Sequence, residues 1–165
     1  MSESLENFTN IVKEDIKEAK TLFFSEAFKE EYLKDRREEK ELYHQLLLGR
    51  NRNQILEEFL LSSGQKKPVL LSAAKTIYQA TIMNLDEPLE IKVKREGWGY
   101  LVGRIKSDGT FLSLHKNVFQ AEDFEDGTLT IHADMKTIPK DGDIDHLIIQ
   151  TVYQTLQIEV VYKEQ

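Results

Sequence analysis

Ser62-Ser63-Gly64-Gln65-Lys66-Lys67-Pro68-Val69-Leu70-Leu71 divides the chain into two halves of different periodicity. Before it, apolar residues recur every three or four positions, as on one face of an α-helix. After it, they recur every second position, as on one face of a strand. Ser63 and Gly64 end the last helical pattern. Gln65, Lys66 and Lys67 offer no apolar side chain to pack, and Pro68 opens the first extended run. The reading is α+β: a helical arm over residues 1–66 and a β domain over residues 67–165. The Gly64–Pro68 junction is expected to be the solvated segment a protease cuts early, together with the Pro139–Asp143 turn.

Upstream, Leu5, Phe8, Val12, Ile16, Ala19 and Phe23 fall on one helix face, and Ser4 is placed to cap it. Phe24, Phe28, Tyr32 and Leu33 extend the stripe. Lys34 to Glu41, KDRREEKE, reads either as a solvated helical stretch with i,i+4 ion pairs or as a docking surface for a charged partner. Leu42, Leu46, Leu47 and Leu48 bring the stripe back and Gly49 stops it. Asn51 or Asn53 caps a last short helix carrying Ile55, Leu56, Phe59 and Leu60. The arm is thus two to three helices: two long ones, or one long kinked one, and then a short one. A sustained heptad fails because Asp15 stands where a second d residue is needed. Phe8, Phe23, Phe24 and Phe28 supply large aromatic area, which is spent either on internal packing or on anchoring another protein or a second copy of the chain.

Downstream, Leu89, Ile91 and Val93 alternate with Glu90, Lys92 and Lys94, the cleanest half-buried strand of the chain. Further strands are expected over Tyr78–Met83, Tyr100–Ile105, Phe111–Leu114 and around Leu129, Ile131 and Ala133. A closing hairpin is expected from Leu147–Val152 and Leu156–Tyr162, turning at Tyr153-Gln154. Ser107-Asp108-Gly109 and Lys140-Asp141-Gly142-Asp143 are turn sequences. About seven short strands with turns every 8–12 residues describe an immunoglobulin-like antiparallel sandwich. Its expected core is Leu89, Ile91, Val93, Leu101, Ile105, Leu129, Ile131, Leu147, Ile149, Leu156, Ile158 and Val160.

The order of residues from Gly99 through Leu101, Gly103, Ile105, Ser107-Asp108-Gly109 and Phe111, then Gly127, Leu129, Ile131, Asp134, Ile138-Pro139, Gly142, Leu147-Ile148-Ile149 and Ile158-Glu159-Val160, resembles immunoglobulin-like sandwich domains of large bacterial multidomain proteins. The resemblance covers residues 68–162 and none of the arm. It implies a spacer, adhesive module or interaction platform and brings no catalytic residues with it. A disulfide-pinned member is excluded, because the chain has no cysteine.

Composition narrows the partners. The net charge is −7, and neither half is basic, which excludes the positive field that phosphate backbones require; nucleic acid is not an expected partner. The lack of cysteine also removes thiolate zinc sites and cysteine nucleophiles. Residues 1–10 show no basic n-region or apolar h-region, and no stretch approaches 18 apolar residues, so the expectation is a cytoplasmic protein without a membrane span. No G-x-G-x-x-G, Walker loop or G-x-S-x-G elbow is present, so no cofactor or catalytic residue is assigned.

Three weaker constellations stand beside this reading. Trp98, Tyr100 and Arg104 share one face if the chain is a strand there, and could stack on a glycan or anchor a protein; the alternative makes Trp98 a core or junction residue. Asp141, Asp143 and Asp145 stand at alternate positions, as in a calcium loop, but His146 and Val152 occupy the places where an EF-hand needs Gly and Glu. His132 and Asp134 share a strand face, and His146 could complete a two-histidine, one-carboxylate set for a metal-dependent enzyme. The function read from the sequence is a non-enzymatic protein–protein interaction or assembly module. A carbohydrate-binding module is the first alternative and a metal-dependent enzyme the second.

Overall fold

A computed structural model describes residues 4–164. The chain forms two compact units, one made of residues 1–68 with Trp98–Tyr100, the other of Val69–Gly97 with Leu101–Gln165.

Among the described residues the arm is five short helices, not two or three: α1 (Leu5–Glu14), α2 (Ile16–Phe23), α3 (Glu26–Tyr32), α4 (Arg37–Leu46) and α5 (Arg52–Ser62). Two of the four breaks, before α2 and before α5, are made by side-chain caps. Asp15 leaves the helical region at φ −148° and its carboxylate accepts from the Glu18 N–H, so the residue that interrupts the heptad also restarts the chain as α2. Ser4 and Asn51 cap α1 and α5 through the Asn7 and Gln54 N–H groups. Short helices gain little from propensity alone, and these are held by a shared aromatic core. Phe8, Phe23, Phe28, Tyr32, Tyr43 and Phe59 are all buried, with ring centroids 4.7 Å apart for Phe8–Phe28 and 4.9 Å for both Phe23–Phe28 and Phe23–Tyr43. Such tilted and edge-to-face contacts add to the burial term.

Tyr43 donates its hydroxyl to the Phe23 carbonyl inside this core. Burial, and secondarily the Glu26 carboxylate, push its pKa above the ordinary 10.0. A group whose pKa is raised on folding lends stability below its unfolded pKa and loses it as pH climbs from 10 through the folded value. Tyr43→Phe is therefore expected to cost about 1 kcal/mol at neutral pH through the lost hydrogen bond, and to flatten the fall in stability above pH 10. Urea titrations across pH would check both; an unchanged alkaline slope would contradict the assignment.

The second unit is a β-sandwich with nine strands among the described residues: β1 (Leu70–Ala73), β2 (Ile77–Ala80), β3 (Leu89–Glu96), β4 (Val102–Ser107), β5 (Leu112–Leu114), β6 (Val118–Gln120), β7 (Thr128–Met135), β8 (Ile144–Thr151) and β9 (Thr155–Tyr162). A four-stranded sheet has the order β1-β3-β7-β5, and a five-stranded sheet the order β2-β9-β8-β4-β6. Taking β3, β4, β7, β8 and β9 as strands B, C, E, F and G, this is the A-B-E-D over G-F-C arrangement of immunoglobulin-like sandwiches. Two strands exceed the expected seven. The run expected as one strand over Tyr78–Met83 stops at Ala80, where Thr81 caps a 3₁₀ turn over Ile82–Leu85, and the remaining β2 pairs parallel with β9, the exception in an otherwise antiparallel fold. Val118–Gln120 lacks the length to show a period and was not expected as a strand; it pairs with Val102–Arg104 of β4.

The expected core is packed between the sheets, with Leu89 and Leu156 only half-buried. Gly103 is demanded by close approach: a Cβ there would lie 2.3 Å from the Phe119 ring and 2.7 Å from the Gln150 carbonyl oxygen. At the β8–β9 turn, the Gln154 side-chain amide exchanges two hydrogen bonds with the backbone of Leu71, at 2.8 and 2.7 Å, which ties the hairpin to β1.

Candidate interaction surface

The two outer faces of the sandwich differ in chemistry. On the four-stranded sheet, alternation turns Glu90, Lys92, Lys94 and Glu96 of β3 outward beside Thr128, Thr130, His132 and Asp134 of β7. His115 Nε2 lies 2.9 Å from Asp134 Oδ2, His132 Nε2 lies 3.6 Å from Glu90 Oε1, and the two imidazoles stack at 5.7 Å. This is an ordinary solvated face.

The five-stranded sheet turns out Ile77 of β2, Val102, Arg104 and Lys106 of β4, Val118 of β6, Ile144 and Ile148 of β8, and Thr155, Gln157 and Glu159 of β9. Val152 follows at the end of β8. Ile77, Val118 and Val152 are 60%, 67% and 66% exposed, and Val102, Ile144 and Ile148 are also exposed. Register sets Lys106, Ile148 and Gln157 in one row and Ile77, Glu159 and His146 in another. Where β4, β6 and the end of β8 meet, Val102, Val118 and Val152 surround a shallow depression of about 1020 Å³ that Arg104 and Gln150 also line. Six exposed β-branched residues with so few charges depart from what a solvated antiparallel face carries, and resemble the charge-depleted centre of an interface. The sequence held a signal for this face. Leu147-Ile148-Ile149 is continuously apolar, as in a strand covered on both sides.

Of the residues singled out in the sequence as candidate sites, Arg104 and His146 lie on this face. Phe8, Phe23 and Phe28 are fully buried in the helical core and present no surface for anchoring another protein; the stripe is internal packing. Phe24 is half-buried, with the Arg52 guanidinium 4.3 Å from its ring centroid. Trp98 and Tyr100 do not share a strand face with Arg104. β4 begins only at Val102, and Gly97 and Gly99 take positive φ (102° and 95°), so residues 97–101 are irregular. Trp98 packs on the helical core, with Lys13 and Lys66 amino groups 5.0 and 4.3 Å from its ring centroid, and Tyr100 accepts from Asn51 Nδ2 at 3.4 Å. An open aromatic platform for a sugar is absent from this segment.

Lys66, expected in a solvated linker, is buried. Its amino group lies 2.7 and 2.9 Å from the two carboxylate oxygens of Glu57 and donates to the Trp98 carbonyl at 2.5 Å, with side-chain exposures of 1% for Lys66 and 3% for Glu57. Gly99 is required beside it, since a Cβ there would stand 2.8 Å from Lys66 Nζ.

The metal constellations come apart. His132 is on β7 and His146 on β8, in different sheets, and His146 lies 2.7 Å from Asp108 instead. Asp141 accepts from the Glu164 N–H and Asp143 from the Lys140 N–H, while Asp145 is fully buried and accepts from the N–H groups of Asp108, Phe111 and Leu112. Each carboxylate serves a different stretch of backbone. Among the described residues no three metal-ligating side chains converge, and no helix is long and apolar enough to cross a membrane.

No curated protein sequence matches the chain. Solved structures similar to it include domains 4 and 5 of the S-layer protein SbsC (10% identity, TM-score 0.40, over 57% of this chain and 51% of that one). Others are the E. coli chaperone DraB (6%, 0.44, over 58% and 55%) and the apo-form Calx CBD1 domain (11%, 0.40, over 59% and 99%). The chain spans about half the length of the first two. The comparison that takes in helices and sandwich together is with a family model described as "Family of unknown function (DUF5717) N-terminal", which matches residues 2–165, and the chain belongs to that family.

Proposed function

We propose that the chain is a non-enzymatic protein-interaction module that works through the outer face of its five-stranded sheet. The observation that carries this is the set of six exposed Val and Ile side chains on a face whose outward strand positions carry three charged side chains, Arg104, Lys106 and Glu159. The occupant the face fits is a second copy. β8 is the middle strand of five, with Arg104 and Lys106 on β4 to one side and Glu159 on β9 to the other. A two-fold axis along β8 lays β4 of one copy over β9 of the other. It sets Ile148 against its mate and Lys106 against Gln157, the isologous arrangement of most dimers. Five strands of this length present roughly 500 Å² per copy at ordinary strand spacing, below the size of a tight interface, so association is concentration-dependent.

Sedimentation of the full chain across a concentration series tests this. The wild-type chain is expected to dimerise at high concentration. Ile148→Lys with Val152→Lys should abolish dimerisation and leave the melting temperature nearly unchanged, since both positions are exposed. A wild-type chain that stays monomeric throughout, or a double variant that dimerises equally well, would refute the pairing.

A further inference from the structure

We propose that the helical unit carries, independently of the sheet face, an anion site for a phosphate monoester, built from Lys17 and Lys20 of α2 and Arg52 at the start of α5. These three cations line one open pocket of about 630 Å³, whose remaining lining is Thr21, Phe24 and Asn53. No carboxylate is among the lining residues, although the chain carries 29 Asp+Glu against 22 Lys+Arg. Elsewhere in this unit Lys29, Arg36, Arg37 and Lys66 each face a glutamate. Lys17, Lys20 and Arg52 make no ion pair among the described residues. Three like charges gathered without a counter-charge repel one another and favour an anion that neutralises them.

Two of the three heads are already placed. Lys20 Nζ donates to Asn53 Oδ1 at 2.7 Å, and the Arg52 guanidinium rests 4.3 Å from the Phe24 ring centroid. Preorganised donors lose less freedom when a ligand arrives. Asn53 spends its oxygen on Lys20, which leaves its amide N–H groups as further donors. Thr21 spends its hydroxyl on the Lys17 carbonyl. The pocket therefore offers donors and positive charge and asks for an oxyanion rich in acceptors. A dianionic phosphate matches three cations better than a single carboxylate does, and the guanidinium fork engages two of its oxygens at once. The pocket is wider than a phosphate group, so it has room for the organic part of a monoester. A nucleic acid does not suit it, because the chain as a whole is acidic.

Isothermal titration of the full chain at low ionic strength, with inorganic phosphate, glycerol 3-phosphate, and a phosphoserine peptide beside its unphosphorylated form, decides the matter. Saturable one-site binding of the phosphate probes is expected, with none for the unphosphorylated peptide. Arg52→Ala or Lys20→Ala should weaken it roughly tenfold each, and Arg52→Lys by less. Lys34→Ala, an exposed lysine outside the pocket, should leave it unchanged. Lys17→Ala removes an exposed pocket cation whose amino group makes no ion pair among the described residues, so it reads the site even if another variant unfolds. Tighter binding of the phosphopeptide assigns the site to a modified protein, and tighter binding of glycerol 3-phosphate to a small molecule. Absence of saturable binding by every phosphate probe, or equal loss in Lys34→Ala and Arg52→Ala, would overturn the proposal.

Discussion

Lys66→Ala is expected to destabilise the helical unit by about 3–5 kcal/mol, among the largest single-residue effects in the chain. The substitution leaves the Glu57 carboxylate buried without its counter-charge and strips the Trp98 carbonyl of the Lys66 ammonium. Coulomb attraction in a water-poor site offsets the desolvation of two charges only while both are present. Glu57→Ala should cost a similar amount by stranding the ammonium. Removing both charges together, as Lys66→Met with Glu57→Leu, should recover most of the loss, because an apolar pair of similar volume avoids desolvation entirely. Trp98 is the chain's one tryptophan and touches Lys66, so its fluorescence during urea unfolding reports this unit directly. A Lys66→Ala variant within 1 kcal/mol of wild type would mean that water reaches the pair and that the ion pair is not structural.

Asp145→Ala is expected to cost the sandwich about 3 kcal/mol or more. The carboxylate takes three backbone N–H groups, from Asp108 at 3.1 Å through one oxygen and from Phe111 and Leu112 at 3.1 and 3.0 Å through the other. Each buried donor left without an acceptor costs on the order of 1–3 kcal/mol. Those donors belong to the segment that carries the chain from β4 in one sheet to β5 in the other, through Gly109 at φ +73°. Losing the anchor frees the crossover as well as three N–H groups. Asp145→Asn keeps the volume but has one acceptor oxygen where two are used, and its amide N–H₂ would confront a donor, so it should fall well below wild type too. Thermal unfolding of both variants checks this. An Asn variant as stable as wild type would show that the crossover does not depend on the carboxylate.

The change from helix to strand between Ser62 and Leu70, the helical character of the first part and the inward positions of the long strands were legible, because periodicity reports which face of an element meets a core. Ile91, Val93, Ile131, Leu147, Ile149, Ile158 and Val160 lie inside as their alternation requires. The helix count differs because Asp15 reads in the sequence as the residue that spoils a heptad, whereas in the fold it starts a new helix. β6 escaped because three residues cannot display a period of two, and its existence depends on an edge that β4 provides.

The candidate interaction surface was harder to see. Exposed apolar residues are found by subtracting the inner face from the outer one, and that needs the register of neighbouring strands. Ile148 looks like core in the sequence, and only its pairing with Lys106 and Gln157 puts it on the outside. Large aromatic residues drew attention to the arm, but six rings at close quarters satisfy one another.

The sequence by itself determined an α+β chain, the place where helix gives way to strand, and the identity of most core residues, since local periodicity encodes burial without knowledge of neighbours. Tertiary structure alone decided that Lys66 and Asp145 are interior, that Trp98 belongs with the helices, and that Lys17, Lys20 and Arg52 converge. Those outcomes rest on partners 9 to 33 residues away along the chain, as for Glu57 with Lys66, Lys20 with Asn53 and Asp145 with Leu112, and a charged side chain read alone carries no mark of whether such a partner or water awaits it.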